Sequence, residues 1–404
     1  MRQKRSPLLE TPASIFLVFF VQAFLVLCLF LSLVYGVAEL TLFSMLLLAI
    51  GLGSRLWSRI SLKHVRCRIR LNHARVFPGE RLKIGIRVVN AKFVPILVNI
   101  NLFIPETVSG EQSGQWIREE GGLLWFQQIT YDRVFFPSRR GVFNLGPPRV
   151  RTGDLFGFFP RYQALAETTE LIVYPRIAAI RPLVFPRRDF FGVPGARNPV
   201  EDPAFVFGTR DYMPGRPARG IHWKASARHN RLQEKLCEPA EHEKVLLVLD
   251  TDGFDTPGAG GLFEQTLEVM AALVLQMARQ GIAMGFATNG HVIGGKSGVL
   301  PILAGSFQAA DVMEILARID AEKAGPPIIE ILSKGCTLPW GVSCICFVRD
   351  GKAPLLSVRT FMRNRGVPVR FVVSQAPDAV ETTGPMPEAD GLYLEDILIP
   401  ETQT

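Results

Sequence analysis

The amino-acid sequence predicts a multi-domain fold: an N-terminal transmembrane helical hairpin, then a β-sandwich domain, then an α/β domain with an open sheet. Two uncharged apolar stretches lie at residues 13–38 and 40–54. Short alternating strands with turn signals follow, which is typical of an antiparallel sandwich. Beyond them, strands alternate with amphipathic helices, which indicates a mostly parallel sheet. The predicted boundaries are 1–60 (hairpin and flanks), 61–175 (β-sandwich), 176–243 (basic linker), 244–375 (α/β domain) and 376–404 (tail).

The first apolar stretch, residues 13–38, is long enough to cross a hydrocarbon core of about 30 Å at about 1.5 Å per residue. The second, residues 40–54, gives roughly 22 Å as a helix, which is short for a full span. Trp57 at the interface and snorkelling by Arg55 and Arg59 would make up the difference. We therefore predict that both stretches cross the cell membrane as a hairpin.

The charges that flank the apolar stretches predict their orientation. Lysine and arginine precede the first stretch and follow the second, and Glu39 lies between them. Because positive charge is retained on the inner side, this pattern places both ends of the hairpin and the following domains in the cytoplasm. Two alternatives remain. The first stretch is a cleaved signal peptide, or it spans alone beside an interfacial second helix and the body lies outside.

Cysteine usage and net charge bear on the compartment and the partners. The six cysteines form neither a C-x-x-C motif nor a disulfide-framework spacing, which indicates a reducing compartment. Cys344 and Cys346 fall on one face of a predicted strand as small hydrophobic residues. The net charge is +8, but a basic excess beside a membrane anchor favours contact with anionic lipid. We therefore expect no nucleic-acid partner.

The densest group of functional residue types lies at 208–231, which reads G-T-R-D-Y-M-P-G-R-P-A-R-G-I-H-W-K-A-S-A-R-H-N-R. Arginine offers a planar fork of donors for carboxylate or phosphate, and Tyr and Trp can stack on guanidinium groups. One hypothesis is a surface that recognises an acidic partner. The other is an internal clasp in which arginines pair with Asp211, Glu234 and Glu238 and join the β domain to the α/β domain. The candidate residues are Arg210, Tyr212, Gly215, Arg219, Trp223, Lys224 and Arg228.

This segment resembles the signature of the bacterial family called domain of unknown function 58, whose pattern is R-x-Y-x-x-G-D-x-x-R-x-I-x-W-K-x-x-A-R. The motifs R-R-G at 139–141 and D-L-F-G at 154–157 resemble the family's lead-in, so the resemblance covers most of the chain after the apolar stretches. The chain departs from the pattern at Arg216, where the family has Asp, so an internal salt bridge to Arg219 is lost. The resemblance implies a MoxR-type AAA+ ATPase as partner.

Two carboxylates, Asp250 and Asp252, follow the first strand of the α/β domain, and ligands of open α/β sheets gather at such strand ends. This region resembles a von Willebrand factor A-like domain, whose metal site has the pattern D-x-S-x-S. Asp250 matches, whereas Asp252 and Phe254 replace the two serines. Asp350 corresponds to a distal acid, and three carboxylates would hold Mg²⁺ or Mn²⁺. The alternative is a degenerate site that binds no metal.

Residues 290–297, G-H-V-I-G-G-K-S, match the phosphate-binding pattern G-x-x-x-x-G-K-[ST]. That loop works only when a helix follows it, and the glycine and proline residues that come next prevent one. The dipeptide at 289–290 instead predicts a β-hairpin between strands at 282–288 and 291–293. We therefore expect no ATP binding at this loop.

The sequence contains neither a G-x-S-x-G nor an H-E-x-x-H motif, so we expect no enzyme activity and no small-molecule substrate. The predicted function is a membrane-anchored adaptor or scaffold that works with the MoxR-type ATPase in protein remodelling or complex maturation. The alternative is an envelope adhesion or structural protein whose outward-facing α/β domain binds a ligand through a metal.

Overall fold

The computed structural model describes residues 13–110, 114–153, 159–181, 201–213, 220–239, 244–320, 325–339, 341–350, 353–375 and 391–399. The chain divides into two compact units, Met1–Tyr174 and Pro175–Thr404. The D-L-F-G motif at 154–157 lies outside the described residues.

The first unit begins with two apolar helices, α1 (Ala13–Tyr35) and α2 (Ala38–Ser61). The chain reverses at Gly36, whose φ of +70° is a left-handed conformation that glycine adopts without strain. The helices pack against each other in antiparallel orientation. Gly51 of α2 and Gln22 of α1, which lie at similar distances along the chain from Gly36, are so close that a Cβ added to Gly51 would be 2.9 Å from the Gln22 amide nitrogen. Small residues at such a contact let two helix backbones approach closely.

Helix α2 is long and apolar enough to cross a membrane by length and composition, and Phe19–Tyr35 of α1 forms a shorter apolar helix. The helix continues past the uncharged stretch at 40–54 to Ser61, so Arg55, Trp57 and Arg59 lie within it. The arginines beyond residue 54 extend their charged ends into solvent and do not interrupt the helix. Large apolar side chains on both helices, such as Phe20 and Leu42, are about two-thirds exposed, which supports association with a membrane.

Three sheets follow the helices in the first unit. The sheet order is β1-β3-β6 in the first, β5-β4-β8-β9 in the second and β2-β10-β7 in the third. The strands are β1 (Val65–Leu71), β2 (Arg75–Val76), β3 (Leu82–Asn90), β4 (Ile96–Ile104), β5 (Gln115–Leu123), β6 (Gln128–Phe135), β7 (Gly141–Leu145), β8 (Arg149–Thr152), β9 (Arg161–Ala164) and β10 (Thr169–Val173), with a short helix α3 (Glu106–Ser109) after β4. Alternate residues such as Ile84, Ile100 and Leu145 are fully buried in one apolar cluster. The sheets therefore share a single core.

The C-terminal end of α2 is held by a buried lysine from the β3–β4 loop. Lys92 is 8% exposed, and its Nζ donates to the carbonyl oxygens of Ile60 and Lys63 at 2.9 Å each and to that of Ser61. Burial lowers the pKa of Lys92 to about 8. The lysine remains a cation at neutral pH, beside carbonyls at the negative end of the helix dipole. It adds a charged donor at a helix end, where the last carbonyls lack the amide donors of a following turn.

Side chains of the last helical turn add direct hydrogen bonds to the sheets. The indole nitrogen of Trp57 donates to the carbonyl of Pro95 at 3.0 Å. Ser61 Oγ lies 2.8 Å from Oγ1 of Thr152, and Ser58 donates to the carbonyl of residue 159 at 2.6 Å. The end of α2 is therefore part of the β unit and not a flexible tether.

The second unit contains a six-stranded sheet in the order β16-β14-β13-β18-β19-β20. All neighbouring strands are parallel except β16, which runs antiparallel to β14. The strands are β13 (Lys244–Leu249), β14 (Ala283–Thr288), β16 (Val299–Leu303), β18 (Val342–Val348), β19 (Val369–Val373) and β20 (Gly391–Tyr393), and the helices are α5 (Gly260–Arg279), α6 (Ser306–Arg318), α7 (Ile328–Gly335), α8 (Ala353–Asn364) and α9 (Leu394–Ile397). The alternation of strands and helices produces the mostly parallel sheet that was predicted.

Two parts of this sheet differ from the sequence-based expectation. The sequence analysis predicted no strand at β16, which contains Pro301. An edge strand tolerates proline because its outer side needs no hydrogen-bond donor. Strand β20 lies in the predicted tail, beyond the boundary at residue 375, and pairs with β19. A strand of three residues carries too little periodicity to be recognised in a sequence.

The predicted hairpin at 289–290 is wrong. Strand β14 already has β13 and β16 as neighbours, so the next strand, β15 (His291–Val292), has no free edge of that sheet to join. It pairs instead with β17 (Ile319–Asp320). The expectation that no helix follows the G-K-S motif is confirmed, since β16 follows it.

Replacing Lys92 by Met should destabilise the first unit. The substitution removes the ammonium donor from three carbonyl groups, of which that of Ser61 is buried, which costs on the order of 2 kcal/mol. We expect a lower free energy of unfolding in detergent micelles, measured by denaturant titration. Lys63→Met, at an exposed lysine of the same helix end, is the control and should change stability little. Equal stability of the two variants would contradict the role of Lys92.

Candidate functional site

The signature segment forms an antiparallel ribbon with a helix between its strands, and not an open linker. Strand β11 (Glu201–Asp211) pairs with β12 (Gln233–Pro239), and helix α4 (Trp223–His229) lies between them in sequence. Residue 220 begins the described part after a gap, so the signature residues Gly215, Arg216 and Arg219 lie outside the described residues.

Local hydrogen bonds determine where α4 begins and how it is held. Nδ1 of His222 accepts a hydrogen bond from the Ala225 amide at 3.1 Å and so caps the helix N-terminus. The hydroxyl of Ser226 donates to the His222 carbonyl at 3.0 Å and accepts from the Gln233 amide at 2.9 Å. Asn230, with φ of +51°, ends the helix. The helix is thereby fixed to the start of β12.

One signature arginine and a neighbouring arginine form ion pairs within the ribbon. Nε of Arg210 lies 3.2 Å from Oε2 of Glu234, whose side chain is 8% exposed. Arg231 lies 3.0 Å from Asp211, which also accepts from Gln233. Arg210 therefore pairs with Glu234, one of the acids named in the clasp hypothesis, and this pair joins the two strands of one ribbon. Tyr212 is half-buried on the same ribbon, and its backbone amide donates to the Leu232 carbonyl at 2.9 Å.

Three signature residues of α4 point into solvent. Trp223 is 69% exposed, and Lys224 and Arg228 are exposed one turn apart, a spacing that places both on one side of a helix. Within the described parts of the chain, neither of these two basic side chains forms an ion pair. Met213 and Leu232 beside the helix are also exposed, at 62% and 47%. We call Trp223, Lys224 and Arg228 the α4 face.

The second group of candidate residues lies at the carboxyl end of β13. Asp250 is 1% exposed, and its Oδ1 accepts from the Asp252 amide at 3.1 Å and from the Asn289 amide nitrogen at 2.8 Å. The same nitrogen donates to Oδ1 of Asp252 at 3.0 Å. Asn289 Oδ1 accepts from the backbone and hydroxyl of Thr251, at 2.8 and 3.1 Å. The two carboxylates are therefore bridged by a neutral amide.

The environment of Asp250 disfavours its charged form. Burial raises the pKa of Asp250, and the charge of Asp252 adds to the shift, against the hydrogen bonds from the Asp252 amide and from Asn289. Burial also raises the pKa of Asp252. Oδ2 of Asp250 is buried and has no hydrogen-bond partner among the described residues. A buried carboxylate oxygen without a donor is costly, so this position is not optimised for stability.

These residues do not fit the metal site that the resemblance implies. Among the described residues no three His, Cys, Asp or Glu side chains are close enough to hold a metal ion, so Asp350 does not join Asp250 and Asp252. The Asn289 amide lies where a cation shared by the two carboxylates would lie. Phe254 is buried against Phe263, with ring centroids 5.2 Å apart, and supplies no oxygen ligand.

Asn289 is the residue of this site that the sequence analysis missed, because its dipeptide was interpreted as a hairpin turn. It follows β14, the parallel neighbour of β13, and the carboxyl ends of parallel strands meet at one edge. Its position after the strand next to β13 was the feature of the sequence that could have identified it.

Lys296 of the G-K-S motif lies 2.7 Å from buried Glu314, which also pairs with Arg318. The lysine therefore stabilises the fold.

Replacing Asp250 by Asn should stabilise the protein at neutral pH. Because burial raises the pKa above the unfolded value of about 3.9, the folded state binds more protons between the two pKa values, and stability falls as the pH rises through that range. Asparagine keeps the accepting oxygen and removes the charge, so we expect a gain on the order of 1 kcal/mol at pH 7.5 that shrinks toward pH 4. Thermal unfolding across this pH range measures it.

Asp252→Asn is the matched control for this prediction. Its side chain is exposed, so removal of its charge should change stability less at every pH. A loss of stability in Asp250→Asn at pH 7.5 would show that the ionised carboxylate contributes favourably to the fold.

Comparison with known proteins leaves the function open. No family model matches the chain. The chain is 27% identical over 207 residues to the uncharacterized protein YeaD of Bacillus subtilis (strain 168), a match that covers 50% of this chain and 49% of YeaD. The matched part thus spans about half the length of each protein. The chain is similar to a bacterial protein whose own activity is not described.

Proposed function

We propose that this protein is a membrane-anchored, non-enzymatic adaptor whose α4 face binds an acidic surface of a MoxR-type AAA+ ATPase. The exposure of Trp223, Lys224 and Arg228 on one short helix is the observation that carries the proposal. A tryptophan that stands in solvent contributes little to the fold, whereas Trp and Arg dominate the energy of protein interfaces. Two adjacent basic residues select a partner of opposite charge.

The hydrogen bonds below α4 support this role, since a binding residue must be held in place before the partner arrives. Ser226 and Gln233 fix the helix to β12, and the Arg210–Glu234 pair closes the ribbon beneath it. A preorganised face loses little conformational entropy on binding. Arg210 in this proposal positions the face and does not contact the partner.

The helix pair is the proposed anchor. Helices α1 and α2 lie antiparallel along their length, so if both cross the bilayer, the segments on either side of the pair lie on the same side of the membrane. Helix α2 measures about 36 Å at 1.5 Å per residue, which exceeds a hydrocarbon core of about 30 Å. Lysine and arginine beyond both ends favour the cytoplasm. We therefore propose two spans and cytoplasmic units.

The second unit is proposed to be von Willebrand factor A-like. Its mostly parallel sheet changes direction at β13, whose neighbours β14 and β18 lie on opposite sides. The crevice outside such a switch point is where open α/β sheets bind ligands. Asp250 and Asp252 lie there, bridged by Asn289.

Replacing the α4 face should abolish partner capture. Trp223→Ala with Lys224→Ala and Arg228→Ala removes the aromatic anchor and both charges, and we expect recovery of the ATPase from detergent-solubilised membranes to fall at least about tenfold. The measurement is affinity capture of the full chain with quantification of co-purified AAA+ protein, with and without nucleotide. A variant with Phe307→Ala and Arg279→Ala, an exposed aromatic and an exposed base elsewhere, is the control.

Two outcomes would contradict the proposal. Equal capture by the wild-type chain and the α4 variant would remove the α4 face from the interface. Absence of any AAA+ protein from wild-type capture would remove the proposed partner. The single variant Arg228→Lys should also capture less ATPase than the wild type, because lysine lacks the planar fork of donors that arginine has.

Topology decides between this proposal and an envelope adhesion protein. A reporter fused after residue 404 should be active in the cytoplasm and inaccessible to impermeant thiol reagents in intact cells. A reporter accessible from outside would exclude every cytoplasmic ATPase as a partner.

A further inference from the structure

An exposed aromatic cluster lies on two loops of the first unit. Phe93 is 73% exposed, Trp125 50% and Phe126 67%, and Leu124 beside them is 48% exposed. The rings of Phe93 and Trp125 stack with centroids 5.6 Å apart and planes 21° apart. We call Phe93, Leu124, Trp125 and Phe126 the aromatic tip. A contiguous apolar surface of this kind marks an interaction site.

The two loops that carry the aromatic tip are built as one rigid element. The side chain of Asn90, which is fully buried, donates to the carbonyls of Val94 and Leu124 at 2.9 and 2.8 Å. The amide of Phe126 donates to the carbonyl of Lys92 at 3.2 Å. One asparagine thus ties the β3–β4 loop to the β5–β6 loop, so the rings keep fixed positions without being buried.

Phe126 is also held in an unfavourable backbone conformation. Its φ is +54°, a left-handed region that a bulky residue enters only at a cost. The ring gains no burial in return, since two-thirds of it is exposed. An exposed aromatic residue under backbone strain contributes nothing to stability, and such outliers cluster at functional sites.

The same loop is attached to the end of helix α2. Lys92, directly before Phe93, binds the carbonyls of Ile60 and Lys63, and Pro95 accepts the hydrogen bond of Trp57. The loop therefore runs beside the last turn of α2, from its end back toward the apolar part of the helix. Trp57 lies about 5 Å closer to that apolar part than Ile60 does, at 1.5 Å per residue.

We propose that the aromatic tip inserts into the interfacial layer of the lipid bilayer beside α2. The inference rests on the proposed membrane anchor, because α2 carries the loop to the bilayer surface. Aromatic rings are favoured at the boundary between headgroups and hydrocarbon. Arg55, Arg59 and Lys63 are exposed at the same helix end and suit anionic headgroups. The tip would hold the first unit against the membrane at a second point.

The experiment measures the depth of the tip in the full-length chain reconstituted in phosphatidylcholine–phosphatidylglycerol liposomes. A Phe126→Cys variant is labelled with the environment-sensitive fluorophore NBD, and quenching by lipids with brominated acyl chains is recorded. We expect a blue-shifted emission and loss of most of the fluorescence in brominated liposomes. Phe136→Cys is the control. It is an equally aromatic, 56% exposed position at the opposite end of β6, roughly 25 Å away, and should remain unquenched.

The labelling uses a background that keeps only the cysteines that are buried in the structure. Cys67, Cys344 and Cys346 are buried, and burial raises the pKa of all three thiols, so these three are kept. The residues replaced by Ala are Cys28, Cys237 and Cys336.

The possible failures are distinguishable. If the wild-type chain does not float with liposomes, the membrane anchor and this inference both fail. If the chain floats but the label at Phe126→Cys is as unquenched as the control, only the insertion of the tip is overturned, and the surface is left for a protein partner.

A second variant separates an interaction role from a structural one. Phe126→Gly removes the ring and relieves the left-handed strain, so the melting temperature in detergent should equal or exceed that of the wild type. In liposomes a label placed by Phe93→Cys should lose part of its quenching when Phe126→Gly is added. A lower melting temperature would assign the ring to the fold and overturn the proposal.

Discussion

The first unit depends on the contact between the Lys92 ammonium group and the last carbonyls of helix α2. A helix end leaves carbonyl oxygens without partners, and here a buried cation from a loop of the sheets supplies them. Without it, the hydrogen bonds that join the helix end to the β core would come from the Trp57 indole and from the hydroxyls of Ser58 and Ser61. With it, the end of the proposed membrane helix is a rigid part of the β unit, and the neighbouring loop acquires a defined place beside the helix.

In the second unit the main constraint is electrostatic, because a parallel sheet brings the carboxyl ends of its strands to one edge. Two acidic side chains meet there, and Asn289 from the neighbouring strand satisfies one oxygen of each. The remaining oxygen of Asp250 is buried and has no partner in the part of the chain that the structure describes. Such residual cost is typical of a functional position, and the neutral amide explains why the edge does not need a metal to hold both carboxylates.

The signature segment shows how far residue patterns predict function. The seven candidate residues were treated as one group, with two competing roles. The structure assigns Arg210 to an ion pair within the ribbon and leaves Trp223, Lys224 and Arg228 exposed. The ion pair is therefore observed for Arg210, and the exposed residues are the ones to which we assign partner binding in our proposal. The pattern alone could not separate them, because the partner of Arg210 lies across a strand pairing that only the fold creates.

Local patterns determined the apolar helices, the alternating strands of the first unit and the order of strands and helices in the second, since periodicity and turn residues act over short distances. Tertiary structure decided what depends on contacts between distant residues: the pairing of β15 with β17, the antiparallel edge strand with its proline, and the place of Asn289 between two aspartates. It also decided that a lysine in a loop, unremarkable in the sequence, would hold the end of a helix. Burial and hydrogen-bond geometry exist only after the chain has folded, so no local pattern contains them.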